Sequence, residues 1–441
     1  MAEDNEVAFD TADVTAMQDN DPAIRSEGDV VSFVQNRFKR AEDVRQQDEQ
    51  RWLKAYRNYR GLYGPDVQFT ETEKSRVFVK VTKTKTLAAY GQIIDVLFGN
   101  NNFPLTVNPT KLPDGVAESV HINIDPNAEK GQDELRQAFE DKPSEPFLFK
   151  PNGKLQPGET LQDLQNRLGA AENKLGTVSE KIIEGQGTTN TTVTFHPAMI
   201  AAKKMEKKIH DQLEESGANK QLRNTAFEMA LFGTGIMKGP FALDKEYPNW
   251  NEDGEYDPLI KTVPSTSHVS MWNFYPDPDA YSMDEAEYCV ERHKLSKTQM
   301  RNLKNRPYFR AESIEECLDM GAQYDKKYWE DDMKDYAIEN YSERYEVLEF
   351  WGYVDSAILE ENGVDIPAEL QELEQINCNI WVCQGHVLRM VLNPFKPVRI
   401  PYYAVPYEHN PYSFFGVGIA ENMDDTQTLM NGFMRMAIDN A

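Results

Sequence analysis

HNPYSFFGVGIAENMDDTQTLMNGFMRMAIDNA, running from His409 to Ala441, is the stretch whose reading decides the fold. It has two parts. Asn410 to Gly418 is an aromatic loop with Pro411 near its start and Gly416 and Gly418 at its close. Proline fixes φ, and each glycine permits a turn that a side chain would obstruct. From Ile419 onward there is no proline, and Ile419, Met423, Thr426, Met430, Phe433 and Ala437 recur at helical steps. The spacing predicts one helix to the end of the chain, its apolar stripe widened by Leu429, Met436 and Ile438. That stripe is too broad to be left in water, so it is expected to be buried on the body or on a neighbouring subunit. Glu421, Asp424 and Asp425 fall in the first turns, where carboxylates suit the positive end of the helix dipole. No glycine, proline or basic cluster stops the helix before Ala441, which suggests that the chain continues beyond it.

Upstream, 441 residues allow one large domain or several modules, and 40% hydrophobic residues supply a real core. The formal charge of −26 argues against a broad basic face that grips nucleic acid. Such acidity favours solubility, and DNA could pass such a protein without being held. Cys289, Cys317, Cys378 and Cys383 fit no zinc spacing and are too few for a disulfide scaffold, so a reducing compartment is expected. The acidic N-terminus is no signal peptide, and no apolar run approaches the ~20 residues that span a bilayer.

Residues 1–28 read as a mobile acidic arm. A long helix is expected from Ser26 or Asp29 to Gly61, on the apolar line Val30, Val34, Phe38, Ala41, Val44, Asp48, Trp52, Ala55 and Tyr59. Its aromatic and arginine-rich tail, Trp52 to Tyr63, reads as an interface between packed elements. Ser75 to Val81 reads as a strand and Thr82 to Phe98 as a helix with Leu87, Tyr90, Gly91, Ile94 and Phe98 on one side. Arg76, Lys80, Lys83 and Lys85 form a basic cluster with two readings, DNA or an acidic neighbouring subunit.

Pro109 to His196 reads as a protruding insertion with one helical piece over 161–184. Pro197 opens a helix with the apolar line Ala201, Met205, Ile209 and Leu213, ending at Gly217. Lys220 to Phe232 is the next helix, and it runs into Gly233-Thr-Gly235-Ile-Met-Lys238-Gly239. A phosphate-binding loop needs strand, glycines, then helix, with Ser or Thr after the lysine. Here the order is helix, glycines, strand, so a helix cap is the physical reading, with Gly233 or Gly235 at positive φ. Residues 245–265 read as a polar loop. Trp272-Asn-Phe-Tyr-Pro276-Asp277-Pro-Asp279 reads as an extended corner, its two carboxylates too few for a metal. Ala286 to Lys294 and Tyr345 to Val354 read as strands, Ser296 as a helix N-cap, and Ile376 to Leu392 as a hairpin turning at Gln384-Gly385. The seven histidines are dispersed, there is no nucleophile elbow, and no catalytic set emerges.

Three of these segments carry a family resemblance. They are Ala-Leu-Phe-Gly233-Thr-Gly235-Ile-Met-Lys, then Trp272 through Pro276 and Asp277 to Ala280, then Asn410, Pro411, Tyr412, Phe415, Gly416, Gly418, Ile419, Asp424, Gln427, Asn431, Asp439 and Asn440. In this order, behind an early long helix, they resemble the portal proteins of tailed double-stranded DNA bacteriophages, the podovirus type in particular. The resemblance implies an α+β portal fold with long helices and a β-rich wing. It divides the chain into the arm 1–28, a helical part of the wing 29–108, the insertion 109–196 outside the ring, the wing core 197–408, and 409–441 leading toward the stem. It implies a ring, usually a dodecamer, at a capsid vertex, with a channel for DNA packaging and ejection. Implied partners are the major capsid protein, scaffold protein, terminase, tail adaptor and the double-stranded DNA passing through, with no membrane, enzyme activity, cofactor or metal. The location implied is the virion, after assembly in the host cytoplasm. Stem, clip and crown would lie beyond Ala441. The alternatives are a packaging enzyme acting on nucleic acid or nucleotide, and a virion adaptor without a channel.

Overall fold

The computed structural model describes residues 22–65, 67–71, 73–99, 103–110, 120–124, 178–181, 190–195, 197–251, 255–333, 343–395 and 400–441. The acidic arm before 22 and most of the 109–196 insertion lie outside them. The chain divides into two compact units, 1–99 with 215–441, and 100–214.

In the smaller unit β1 (Val120–Ile124), β2 (Val178–Lys181) and β3 (Asn190–Phe195) form an antiparallel sheet with β3 central. Strand β2 stands where the end of the 161–184 helix was expected. It pairs with the β-branched run Thr191-Thr192-Val193, which favours extended pairing. Helix α3 (Pro197–Glu215) opens on its proline. It holds the segment before the insertion, because Val107 N donates to Glu206 Oε2 at 3.0 Å. On this helix Ala202 is buried and Met205, expected on the apolar line, is exposed.

The larger unit is built on α1 (Pro22–Arg60), which starts a turn earlier than the sequence suggests, and on two antiparallel sheets. One sheet has the order β10-β9-β8-β7-β6, from β6 (Phe274–Pro276), β7 (Tyr288–Ser296), β8 (Arg344–Asp355), β9 (Gln375–Cys383) and β10 (His386–Leu392). The other has the order β11-β4-β5, from β4 (Thr234–Tyr247), β5 (Leu259–Val269) and β11 (Tyr402–Pro406). The β9–β10 turn places Gln384 and Gly385 at φ 49° and 90°, as a two-residue hairpin of the favoured twist requires.

Alternation along the strands sends successive residues to opposite faces. Phe350, Val354, Ile376 and Ile380 face Val30, Val34, Phe38 and Ala41 of α1. Tyr345, Val347 and Trp381 face α5 (Lys297–Leu303) and α6 (Ala311–Met320) through Met300 and Ile314. Two short helices follow, α7 (Tyr328–Met333) and α8 (Ser356–Glu361). Ser296 caps α5 in a reciprocal capping box with Gln299. A third cluster joins Trp52 and Leu53 of α1 to Leu231 and Phe232 of α4 (Ala218–Phe232), Trp272 and Phe415.

Several expectations are corrected here. Beyond Ala41 the buried line of α1 runs through Arg45 and Glu49 to Trp52, while Val44 is exposed. Both routes have helical spacing, and the one taken brings a cation to main-chain carbonyls, as described below. Residues 75–80 form no strand and join no sheet, and Val81 already opens the next helix. Helix α2 (Val81–Phe98) buries Thr82, Thr86 and Phe98, and leaves Leu87 exposed. The 245–265 loop is instead the outer half of a ribbon, since β4 and β5 pair out to Tyr247 and Leu259.

A buried charge group ties the two sheets together. Lys238 of β4 places Nζ 2.9 Å from Glu291 Oε2 of β7 and 2.5 Å from Glu349 Oε2 of β8. Trp351 Nε1 and His293 Nε2 also lie 2.7 Å from Glu349 oxygens, and Tyr402 OH donates to Glu291 at 2.6 Å. Burial, the largest influence, pushes the Glu349 carboxyl up, but Lys238 and His293 outweigh it and hold it well below the usual carboxylate range. A depressed carboxyl stabilises the fold above its unfolded value of ~4.3 and stops doing so as pH falls through its folded value. Replacing Glu349 with Gln is therefore expected to cost about 3 kcal/mol at pH 7, because Lys238 is left under-compensated. Urea unfolding as a function of pH should show the gap to wild type narrowing below pH ~4.3.

Candidate functional site

Two of the three sequence motifs meet main chain to main chain. Helix α4 ends at Gly233, whose φ of 104° is the left-handed cap conformation. The 409–418 loop crosses directly over it. A Cβ on Gly233 would sit 2.4 Å from Gly416 O and 2.6 Å from Gly418 N. A Cβ on Gly418 would sit 2.5 Å from Leu231 O, and one on Gly416 2.7 Å from Gly233 O. Hydrogen bonds fix the crossing, with Tyr407 N donating to Gly233 O at 2.8 Å and Gly416 N to Thr234 Oγ1 at 2.9 Å. Gly235 has no positive φ, yet a Cβ there would meet Thr225 O at 2.7 Å. The same loop carries Asn410, whose Oδ1 accepts from Tyr412 N, while Pro411 and Tyr412 stay exposed.

The third motif packs against the same junction. The Trp272 ring touches Trp52, Phe232 and Trp329, with centroids 4.8 to 5.6 Å apart. Arg45 of α1 reaches the motif's backbone and donates to Met271 O, Trp272 O and Phe274 O at 3.1, 3.1 and 2.6 Å. Glu49 pairs with it at 2.5 Å, and its guanidinium carbon lies 3.6 Å from the Tyr275 ring centre. A buried arginine is tolerable only when paired and hydrogen-bonded in this way. Sequence reasoning missed Arg45 and Glu49. Their i, i+4 spacing on the buried side of an amphipathic helix was the available signal. Pro276 is buried at the end of β6. Asp277 accepts from Asp279 N and Glu287 N, so its carboxylate closes a turn and is not left for a metal.

The last helix does not bury its apolar stripe on the body of this chain, the first of the two expectations for it. It bends at Met423 into α9 (Ile419–Asn422) and α10 (Asp424–Asn440). Its buried side chains are Gln427 and Asn431, 1% and 5% exposed, whereas Leu429, Phe433 and Met436 are 60%, 62% and 53% exposed. The cause is the segment 75–82, which leads into the first turn of α2 and bonds its main chain to side chains of α10. Gln427 Oε1 accepts from Thr82 N and Thr82 Oγ1 at 3.0 and 2.9 Å, and its Nε2 donates to Val79 O. Asn431 Oδ1 accepts from Val79 N at 2.9 Å, and Asp439 Oδ1 from Ser75 N at 2.8 Å. Asp424 ties the start of α10 to α1 through Asn58 Nδ2 at 2.9 Å and Lys54 at 2.6 Å. Arg435 lies over the Tyr63 and Phe69 rings. Of the motif residues on α10, only Asn440 stays out of this set, exposed in the last turn.

The structure thus brings together Gly233, Gly235, Trp272, Gly416, Gly418, Asp424, Gln427, Asn431 and Asp439 as a junction of elements, with no substrate chemistry among them. Among the described residues, Glu291, His293 and Glu349 bring ligand atoms within 4.8 Å of one another, a metal-like spacing. The Lys238 ammonium is already the cation of that group, which leaves no case for a metal. The glycine crossing gives a direct test. Gly233→Ala is expected to destabilise by about 2–4 kcal/mol from positive φ and overlap together. Gly91→Ala, in a helix with nothing within 4 Å, should stabilise by about 0.5–1 kcal/mol. Urea midpoints of the two variants check both signs.

No curated protein matches the chain. The family model described as Phage SU10 portal protein matches residues 180–441, more than half of the chain and the whole of this junction from α4 to α10. The chain belongs to the Phage SU10 portal protein family.

Proposed function

We propose that this chain is a portal subunit that assembles into a ring at one capsid vertex, where the ring forms the channel for DNA packaging and ejection. The observation that carries the reading is the convergence of the three motifs at one junction inside the matched region. Their order along the chain reflects a common three-dimensional joint rather than three separate likenesses. The ring is a structural element, without catalysis of its own, that docks terminase during packaging and the tail adaptor afterwards. A formal charge of −26 suits a channel wall, because few phosphates would be neutralised and DNA would slide without sticking.

Residues 29–108 and 197–408 would then form the wing, with 109–196 as an excursion on the outside of the ring and α10 leading toward the stem. Among the described residues no helix is long and apolar enough to cross a membrane, which agrees with a component of the virion. Negative-stain electron microscopy of the purified protein tests the reading. Rings with a central hole are the expected result. A monomer that turns over nucleotide would contradict it.

A further inference from the structure

We propose that the free edge of β11 is a docking strand for an extended, uncharged segment of a second protein, which joins the β11-β4-β5 sheet as its fourth strand. The choice of a second protein over another copy rests on the reading of the chain as a ring subunit. The strand addition itself does not.

The pairing of β11 shows which way its main chain points. Tyr407 N donates to Gly233 O at 2.8 Å, and Gly239 N donates to Pro401 O at 2.9 Å. Between these bonds the register is unbroken, with Tyr402 opposite Lys238 and Pro406 opposite Thr234. Pro401, Tyr403, Val405 and Tyr407 therefore turn their main chain toward β4, and Tyr402, Ala404 and Pro406 turn theirs away. β11 is the last strand of its sheet. Among the described residues, no hydrogen bond reaches the N–H groups of Tyr402 and Ala404 or the C=O groups of Tyr402, Ala404 and Pro406.

The side chains follow the same alternation. Tyr402 is buried and its ring reaches the Lys238 charge group. Tyr403, Val405 and Tyr407 share the opposite face and are 51%, 52% and 40% exposed. An added strand would find apolar cross-strand neighbours there.

The other edges of the two sheets in this unit carry the features that keep edge strands single. β5 has Lys261 and Pro264 and a break of register against β4. β10 has Arg389 beside a bulge, and β6 is 3 residues long. From Ile400 to Tyr407 there is no charge. An apolar edge without such protection is a template for another strand. Its chemistry selects the occupant. N–H and C=O groups repeating every ~6.8 Å are matched by extended polypeptide, and not by a sugar-phosphate chain or a lipid surface. The absence of charge favours an uncharged segment with apolar residues at alternate positions. A second copy offering its own β11 would pair about a two-fold axis, which closes a dimer and cannot repeat around a ring.

Fluorescence anisotropy of the full chain with a labelled, end-blocked peptide of alternating threonine and valine tests the pairing. The chain should bind this peptide. It should not bind the same peptide N-methylated at every interior amide, which keeps the side chains and loses the donors. Ala404→Pro removes an outward N–H and none that β4 uses, so it should weaken binding by about tenfold or more with the far-ultraviolet circular dichroism unchanged. Val405→Lys puts a charge on the exposed face beside the added strand and should also weaken binding, which keeps the test decisive if the proline variant misfolds. No binding of the plain peptide, equal binding of the methylated one, or full binding by the folded variants would overturn the proposal. A photo-reactive benzoylphenylalanine in place of Tyr403 should cross-link only within one chain in the purified protein. Cross-links from it to a second copy would overturn the assignment to a second protein. Peptide binding is read whether or not rings form, so an absence of rings by electron microscopy would count against the portal reading separately.

Discussion

A segment of main chain that belongs to no sheet is the constraint around which this molecule is arranged. Residues 75–80 have no regular secondary structure and run into the first turn of α2, so their N–H and C=O groups must find partners elsewhere. It finds them on the side of a helix. Gln427 and Asn431, one turn apart, and Asp439, two further turns on, meet Thr82, Val79 and Ser75 of the segment. This arrangement sets the roll of α10. The large apolar side chains Leu429, Phe433 and Met436 of that helix are then exposed on this chain.

The position of the helix, as distinct from its roll, depends on the glycines. Gly233, Gly416 and Gly418 let the loop into α9 pass over the end of α4 at a separation no Cβ allows. Arg45 does the equivalent for the Trp272 turn by gathering its carbonyls from α1. Lys238, between Glu291 and Glu349, joins the two sheets. These three devices are different in chemistry and alike in effect. Each binds backbone or charge that would otherwise be buried without a partner.

What could be read from the sequence was local. The Ser296 cap, the Gln384-Gly385 hairpin, the left-handed Gly233 and the long first helix all follow from a few neighbouring residues. What could not be read was the choice between two faces of similar spacing. From Ala41 to Trp52, the routes through Val44 and Asp48 or through Arg45 and Glu49 are both helical, and distant carbonyls select the second. On α10 the apolar stripe competes with Gln427-Asn431-Asp439, and within this chain the polar set takes the packed side. The motif residues were recognisable as a family pattern before they had a role. The structure supplies one, since most of them hold backbone to backbone or side chain to backbone across long sequence distances.

Amide hydrogen exchange across residues 75–82 tests this account most directly. Val79 lies outside any regular element and Thr82 in the first turn of α2, where N–H groups have no partner within the helix, so without the α10 side chains both amides would exchange at nearly the free-chain rate. If the α10 side chains hold the segment as described, the amides of Val79 and Thr82 are protected, and a Gln427→Leu, Asn431→Leu variant loses that protection. Free-chain exchange at both amides in the wild-type protein would contradict the account.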